Sequence, residues 1–329
     1  MSGVQTITVR PDDGEQRLDR WFKKHYPQLG HVALQKLLRT GQVRVDGKRV
    51  QAGFRLEAGQ NVRVPPLPPS DAPAPAKPRA PSRISDDDRT FIADLVLHKD
   101  AELIVLNKPA GLAVQGGTKT ERHIDGLLPA LAEGDEQLRL VHRLDKDTSG
   151  LLVVARNARA ARALTEAFRR HQVTKLYWAL VVGRPALADG VIDLPLDKGD
   201  QAGREKMAPS EAGKRAITRY VTVARAGRIA TWLAMLPETG RTHQLRVHCA
   251  QALDCPILGD GKYGGARARL EGAPRGLMLH AAELDLPHPA GGRLTVRARP
   301  SSVFQAGMAF FGFEPGDNPG ARLADLRDV

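Results

Sequence analysis

An α+β chain of two domains, the larger built on a large mixed and chiefly antiparallel sheet, is what this sequence predicts. Three observations carry the prediction. The 329 residues exceed what a single core ordinarily organises. Eight of the 23 prolines crowd into the 17 residues from Pro65 to Pro81, where neither helix nor strand ladder can take them, so the stretch reads as an extended spacer. Beyond it come many short alternating segments and few helical ones, without the strand–helix repeat of a parallel α/β protein. We set boundaries at 1–64 for a small N-terminal α/β domain, 65–90 for the spacer, 91–315 for the large domain and 316–329 for a loosely ordered tail. At about 3.1 Å per residue, the Pro-rich stretch could hold the domains up to roughly 50 Å apart.

In the small domain, Leu18, Trp21, Phe22 and His25 recur at helical spacing, and so do Leu34, Leu37 and Leu38. Gly41 falls where a helix C-cap glycine belongs. In VRVDGKRV the pair Asp46-Gly47 sits between alternating residues, which predicts a two-residue hairpin. Through Val64 there are 12 Lys or Arg against 6 Asp or Glu, so a fifth of the chain carries half of the whole-chain excess of +12. Lys36 and Arg39 on the second helix, with Arg44, Lys48 and Arg49 on the hairpin, are candidate contacts to a polyanion. Charge alone fits a solvated face as well.

In the large domain, DLVLHKDAELIVLNKPAGLAV reads as two strands around a turn, and LRLVHRLDKDTSGLLVVARN as strand, loop, strand. ARAARALTEAFRRHQ is helical by spacing and propensity. KLYWALVVGR, AITRYVTVARAG, TWLAMLPETG and GRLTVRARP alternate as strands.

Composition narrows the function. With 42% apolar and 26% charged residues the chain is an ordinary globular one, but +12 is a large excess. It favours polyanions, nucleic acid ahead of an anionic membrane. No apolar run reaches the roughly 18 to 20 residues of a spanning helix, and MSGVQTITVR lacks a secretory apolar stretch. Cys249 and Cys255 fit neither a disulfide framework nor a zinc pattern, so both read as small buried hydrophobes in a reducing cytoplasm. Dinucleotide and phosphate-loop motifs are absent, and no cofactor is expected. His243 and His248, five apart on an expected helix, would stand some 140° apart, so no metal site is expected.

Three segments carry candidate chemistry. In HRLDKDTSG (His142 to Gly150), Arg143 and Asp145 are two apart and would point to one side, with Leu144 turned into the core. A solvated ion pair on a turn, worth about 0 to 1 kcal/mol, is the bland alternative. In KLYWAL, Lys175 and Tyr177 share the strand face opposite Leu176, Trp178 and Leu180. A tyrosine there is either an amphipathic surface residue or a platform for an extruded base, worth about 1 to 3 kcal/mol. In PETGRTHQLRVHCAQALDCPILGD, Leu245, Cys249, Ala252 and Leu253 fit a helix that Pro256 ends. Arg246, between Leu245 and Val247, would be partly buried and want a carboxylate, whereas Arg241 could be a surface charge.

RLDRWFKKHYP, then a basic helix, then GQVRVDGKRV resembles the small S-four-like RNA-binding domain of ribosomal and RNA-modifying proteins. HRLDKDTSG, KLYWALVVG and GRTHQLRVH, in this order, resemble the three motifs of the large-subunit-type pseudouridine synthases, the RluA group. NKPAGL and CPILGDGKYG extend the likeness to most of the chain. Cys255 replaces the family's usual His, and the Pro-rich spacer is longer than usual. The resemblance implies a pseudouridine synthase fold and the isomerisation of RNA uridine to pseudouridine without a cofactor. It makes Asp145 the catalytic carboxylate, Arg246 its ion partner and Tyr177 the ring packed on the flipped uracil. Arg143 would fill the space the base leaves or touch phosphate, and Leu279 and His280 would line the pocket. Lys175 and Arg241 join the candidate RNA contacts. Large-subunit (23S) rRNA of a bacterium is the expected substrate, with a monomer in the cytoplasm as the default. A tRNA-modifying synthase, a non-catalytic translation factor and a uracil-releasing glycosylase are the competing readings.

Overall fold

The computed structural model describes residues 3–10, 13, 16–67, 84–116, 122–199 and 206–314. It divides into two compact units, Met1–Arg83 and Ile84–Val329. Most of the Pro-rich spacer, from residue 68, and the C-terminal tail lie outside the described residues.

In the first unit, β1 (Gln5–Thr8), α1 (Leu18–His25), α2 (His31–Arg39), β2 (Arg44–Val45) and β3 (Asn61–Val64) follow in order, and the strands pair as β1-β3-β2. The apolar face of each helix makes the core: Leu18, Trp21 and Phe22 of α1 and Leu34 and Leu38 of α2 pack with Val43, Val45, Val62 and Val64. Asp46 and Gly47 both take positive φ, 47° and 76°, and Val45 and Lys48 exchange backbone hydrogen bonds of 3.1 and 2.9 Å. That is the tight turn the Asp-Gly pair predicts. The chain after Lys48 does not continue as a strand, however; β2 pairs with β3 instead.

The second unit opens with α3 (Asp86–Asp94), whose N-cap Ser85 accepts from the Asp88 amide at 3.1 Å. This helix begins inside the stretch read from sequence as spacer. Three aspartates in its first turn suit the helix N-terminus, and Ile92 anchors it in the core. Then follow β4 (Val96–Lys99), β5 (Leu103–Lys108), α4 (Ile124–Leu127), β6 (Arg139–Leu140), β7 (Ser149–Ala155), α5 (Ala158–Arg169), β8 (Thr174–Val182) and β9 (Asp189–Asp193). After them come β10 (Leu196–Gly199), β11 (Lys206–Pro209), β12 (Ile217–Ala226), β13 (Ala230–Pro237), α6 (Gln244–Val247), β14 (Leu279–Pro287), β15 (Arg293–Arg297) and α7 (Ser302–Phe310).

Ten strands form one sheet in the order β4-β5-β7-β14-β8-β13-β12-β9, with β15 on β14 and β6 on β7, while β10 and β11 make a separate ribbon. Every pairing in the large sheet is antiparallel except β7 with β14. Alternation along β5 and β7 feeds two cores: Ile104, Leu106, Leu152 and Val154 meet α3 and α4 on one face, and Leu103, Val105, Leu151 and Val153 meet α5 on the other. The parallel junction depends on Gly150, which has φ 110° and whose added Cβ would stand 2.2 Å from the Ala281 carbonyl oxygen. Only a glycine lets β14 run there.

The helix expected from Leu245 to Pro256 is interrupted. A single α turn, α6, passes into a π turn over His248–Ala252. Cys249 and Cys255 are free and buried, and no helix among the described residues is long and apolar enough to cross a membrane.

Candidate active site

The sheet delivers the three motifs to one cavity of about 480 Å³, lined among others by Arg143, Asp145, Lys175, Tyr177, Arg241 and Arg246. A second depression of about 770 Å³ shares Arg143, Asp145, His243 and Arg246 and adds Lys146, Lys262 and Arg275. Asp145 therefore stands between two basic hollows.

The loop that carries Asp145 is held from both ends. Leu144 is buried among Ile104, Leu106 and Leu152, while Arg143 stays exposed. His142 accepts from the Val153 amide through Nε2 at 2.8 Å and stacks on Phe168 with ring centroids 4.4 Å apart. Burial, reinforced by the nearby Lys175 charge, lowers its pKa to about 3, so it is neutral. On the other flank, the fully buried Lys108 donates through Nζ to the carbonyls of Pro109, Leu112 and Lys146 at 2.9, 2.9 and 3.0 Å. The Gly111 amide joins it on the Lys146 carbonyl at 2.9 Å. One ammonium thus ties the NKPAGL turn to the residue after Asp145.

The carboxylate of Asp145 lies 3.8 Å from Nε2 of His243 and 3.9 Å from Nη1 of Arg246, too far for hydrogen bonds. The expected Arg246–Asp145 ion pair is therefore present as a long contact, without the hydrogen bond that would make it a close one. Arg246 forks onto Asp260 instead, with two bonds of 2.8 Å in a buried, bidentate ion pair. Asp260 also accepts from the amides of Lys262 and Tyr263, both at 3.1 Å. Arg246 accordingly presents a fixed positive edge to Asp145 without binding it.

His243 is not on a helix face, as its spacing suggested, but precedes α6 in the left-handed region at φ 53°. This backbone turn aims its ring at Asp145. Its Nδ1 meets the Tyr263 hydroxyl at 2.7 Å, and that oxygen accepts from the Met207 amide at 3.1 Å. Burial lowers the His243 pKa, with Arg246 and Lys262 acting in the same direction against Asp145. The loop before it is fixed by buried Gln244, whose amide donates to Ile217 O and Thr218 Oγ1 at 2.9 Å each. Its oxygen accepts from Thr239 and from the Arg241 amide. His248 is a core residue, bonded to Thr218 Oγ1 and Leu194 O at 3.0 and 3.2 Å, with its pKa lowered to about 4 by burial.

Tyr177 and Lys175 project from β8 into the cavity, two residues apart. Burial, then the Asp145 charge, pushes the Tyr177 phenol above its ordinary value, so its hydroxyl stays protonated near neutral pH. Leu279 lines the cavity, whereas His280 does not. It is wholly buried and bridges Ser149 Oγ, 2.9 Å away, to Ala298 O, 3.2 Å away. Arg241 reaches the cavity while its Nε donates to Arg215 O at 2.9 Å.

Lys36, Arg39, Arg44, Lys48 and Arg49 all belong to the first unit. Four are exposed; Arg44 is half-buried and donates to Gly41 O and Gly47 O at 3.0 and 3.3 Å. Among the site residues, sequence reasoning missed Lys108, His243, Asp260 and Tyr263. NKPAGL and GDGKYG contain three of them, but nothing local in those segments signals partners 14 to 56 residues away.

A mixed sheet whose strands and loops gather one carboxylate that accepts no hydrogen bond from its cationic neighbours, one protonated phenol and several cations in a single cavity defines an enzyme for polyanionic substrates. The chain belongs to the RNA pseudouridylate synthase family, whose sequence profile matches residues 102–251. The Arabidopsis thaliana protein named RNA pseudouridine synthase 4, mitochondrial, is 38% identical over 302 residues, which cover 80% of this chain and 63% of that longer protein. The Vibrio cholerae protein named ribosomal large subunit pseudouridine synthase C is 36% identical, covering 87% of this chain and 90% of its own. Its Escherichia coli namesake is 35% identical over 88% and 91%. Among solved structures, human RNA pseudouridylate synthase domain containing 4 superposes with a TM-score of 0.58 at 32% identity, over 69% of this chain and 98% of that one.

Proposed function

We propose that the chain isomerises specific uridines of large-subunit ribosomal RNA to pseudouridine, with Asp145 as the reacting carboxylate. The observation that carries the reading is the seating of Asp145: inside a cavity, close to two cationic or imidazole groups, and hydrogen-bonded to neither. A carboxylate so placed is free to reach a substrate atom. The names of the bacterial relatives supply the ribosomal substrate.

The reaction breaks the N1–C1′ bond, turns the base, joins C5 to C1′ and releases the C5 hydrogen as a proton. Asp145 would act at the sugar, and Arg246, clamped by Asp260, would hold a steady field beside it in a low-dielectric pocket. Tyr177 would pack on the extruded ring; its raised pKa removes it as a base near neutral pH. Arg143, Arg241 and the first unit's Lys36, Arg39, Lys48 and Arg49 would meet the RNA backbone.

Asp145→Asn should abolish tritium release from RNA carrying 5-tritiated uridine while RNA binding persists. Retained turnover would remove Asp145 from the mechanism. Release of free, still-tritiated uracil would indicate a glycosylase instead.

A further inference from the structure

Lys108 is buried and Lys175 is half-buried at the cavity wall, and the two differ in how their ammonium groups are used. Lys108 spends its ammonium on three carbonyls. Lys175, among the described residues, has no hydrogen-bond or carboxylate partner for its Nζ, which lies against Gly240 at the cavity wall, 4.0 Å from where a Cβ there would stand. An ammonium partly withdrawn from water and facing a cavity without a carboxylate is a ready partner for negative charge brought in by a substrate. Burial pulls its pKa down to about 8, so it still carries its proton at neutral pH.

We infer that Lys175 stabilises the negative charge that develops on the uracil as its bond to the ribose breaks. The inference rests on the functional reading above. When N1–C1′ breaks, the bonding pair leaves with the base and spreads over N1, O2 and O4. That charge persists until the pair on C5 forms the new bond to C1′, after which the C5 hydrogen departs as a proton. Lys175 gives up no proton; it supplies a fixed positive charge in a half-buried site, where such a charge counts for more than it would in bulk water.

The other cations of the cavity are placed for other work. Arg246 is forked onto Asp260 beside Asp145, on the side where the sugar must lie. Arg143 is exposed, and Arg241 is tethered to Arg215 O. Lys175 stands on the same strand face as Tyr177, two residues away, so a ring lying on Tyr177 would turn a carbonyl edge toward it. His142, Gly240 and Tyr177 thus bring all three motifs to this one ammonium.

The test uses the full chain with a large-subunit rRNA transcript containing 5-tritiated uridine, under single-turnover conditions and with binding measured separately across a salt series. Lys175→Met should slow the chemical step about 10²- to 10³-fold, the range for losing one charge-stabilising donor, with Kd changed less than threefold. Lys175→Arg should recover part of the rate. The unaltered chain should lose rate above pH about 8, and the Met variant should lack that limb. RNA containing 5-fluorouridine, a base that bears negative charge more readily, should be consumed with a smaller Met penalty. A normal single-turnover rate combined with weaker, less salt-sensitive binding would make Lys175 a phosphate contact and overturn the inference, as would no change in either. If the unaltered chain releases no tritium at all, the functional reading fails instead.

Discussion

Asp145 owes its placement to neighbours that do not touch it, and Arg246 shows how that is arranged. Its guanidinium gives Nε and Nη2 to Asp260, fourteen residues on, and leaves Nη1 3.9 Å from Asp145. Asp260→Asn should cost about 3 to 5 kcal/mol in chemical unfolding, because one partner of a buried pair is left uncompensated. Tritium release should fall with it, and unfolding unchanged within about 0.5 kcal/mol would contradict the geometry. Lys175 supplies a prediction with a defined pH sign. Its pKa is about 8 in the fold against an ordinary 10.5. Between those values the unfolded chain binds a proton that the folded chain has released, so stability from this group rises with pH. The penalty is full below pH about 8 and vanishes toward 10.5. Lys175→Met should therefore raise the melting temperature at pH 7 and do so by less at pH 10; an equal gain at both would remove the burial argument. That Lys175 and Tyr177 share a strand face is legible from two-residue alternation, whereas their meeting with Asp145 is expected only from the order of the three motifs. Arg246's partner is not legible, because a carboxylate fourteen positions away and beyond a π turn leaves no local pattern.

The strands and helices of the sheet show where a local pattern suffices and where it does not. Apolar runs mark β5 and β7, alternation marks β8, and the Asp-Gly pair marks the tight turn of the first unit, since each is coded by adjacent residues. The broken helix after His243 defeats periodicity. A 3.6-residue stripe runs through Leu245 and Cys249, but the backbone widens to a π turn at His248, which bonds Thr218 and Leu194 in the core. The junction of β7 and β14 is equally non-local, and Gly150→Ala tests it. A methyl 2.2 Å from the Ala281 oxygen cannot be accommodated by a side-chain shift, because the obstacle is backbone. The variant should be recovered largely in inclusion bodies or melt many degrees lower, and a melting temperature near that of the unaltered chain would show that β14 has freedom to retreat. Lys108→Met acts on the loop rather than the sheet. It leaves the Pro109 and Leu112 carbonyls without this donor, at a cost of up to about 1 to 3 kcal/mol each, and leaves the residue after Asp145 held by the Gly111 amide alone. Activity should fall at least tenfold, chiefly in kcat, as for a positioning group.

At the scale of the whole chain, the two units separate a basic surface from the chemistry, and the boundary between them decides how that separation is tested. The expected spacer ends at residue 90, but α3 already begins at Asp86 under its Ser85 cap, and Ile92 is wholly buried beneath it. A truncation starting at residue 91 would delete the cap and first turn, worth about 1 kcal/mol in the cap alone, and loosen a wall of the core that holds Leu144. One starting at Ile84 keeps both. The chain from residue 84 should therefore fold and, at low salt, still release tritium. What it should lose is affinity, with a diagnostic dependence. Each phosphate neutralised by Lys or Arg contributes about 0.7 to 0.9 to the slope of log affinity against log salt. Of the five basic candidates in the first unit, Arg44 is spent on the Gly41 and Gly47 carbonyls, leaving Lys36, Arg39, Lys48 and Arg49 exposed. If those four contact phosphate, the slope should become shallower by about 3 when the unit is removed, measured by filter binding to a large-subunit rRNA transcript. A slope unchanged by the truncation would mean that the excess charge of the first unit is solvated and that the second unit's own cations, Arg143 and Arg241 among them, carry the contact with RNA.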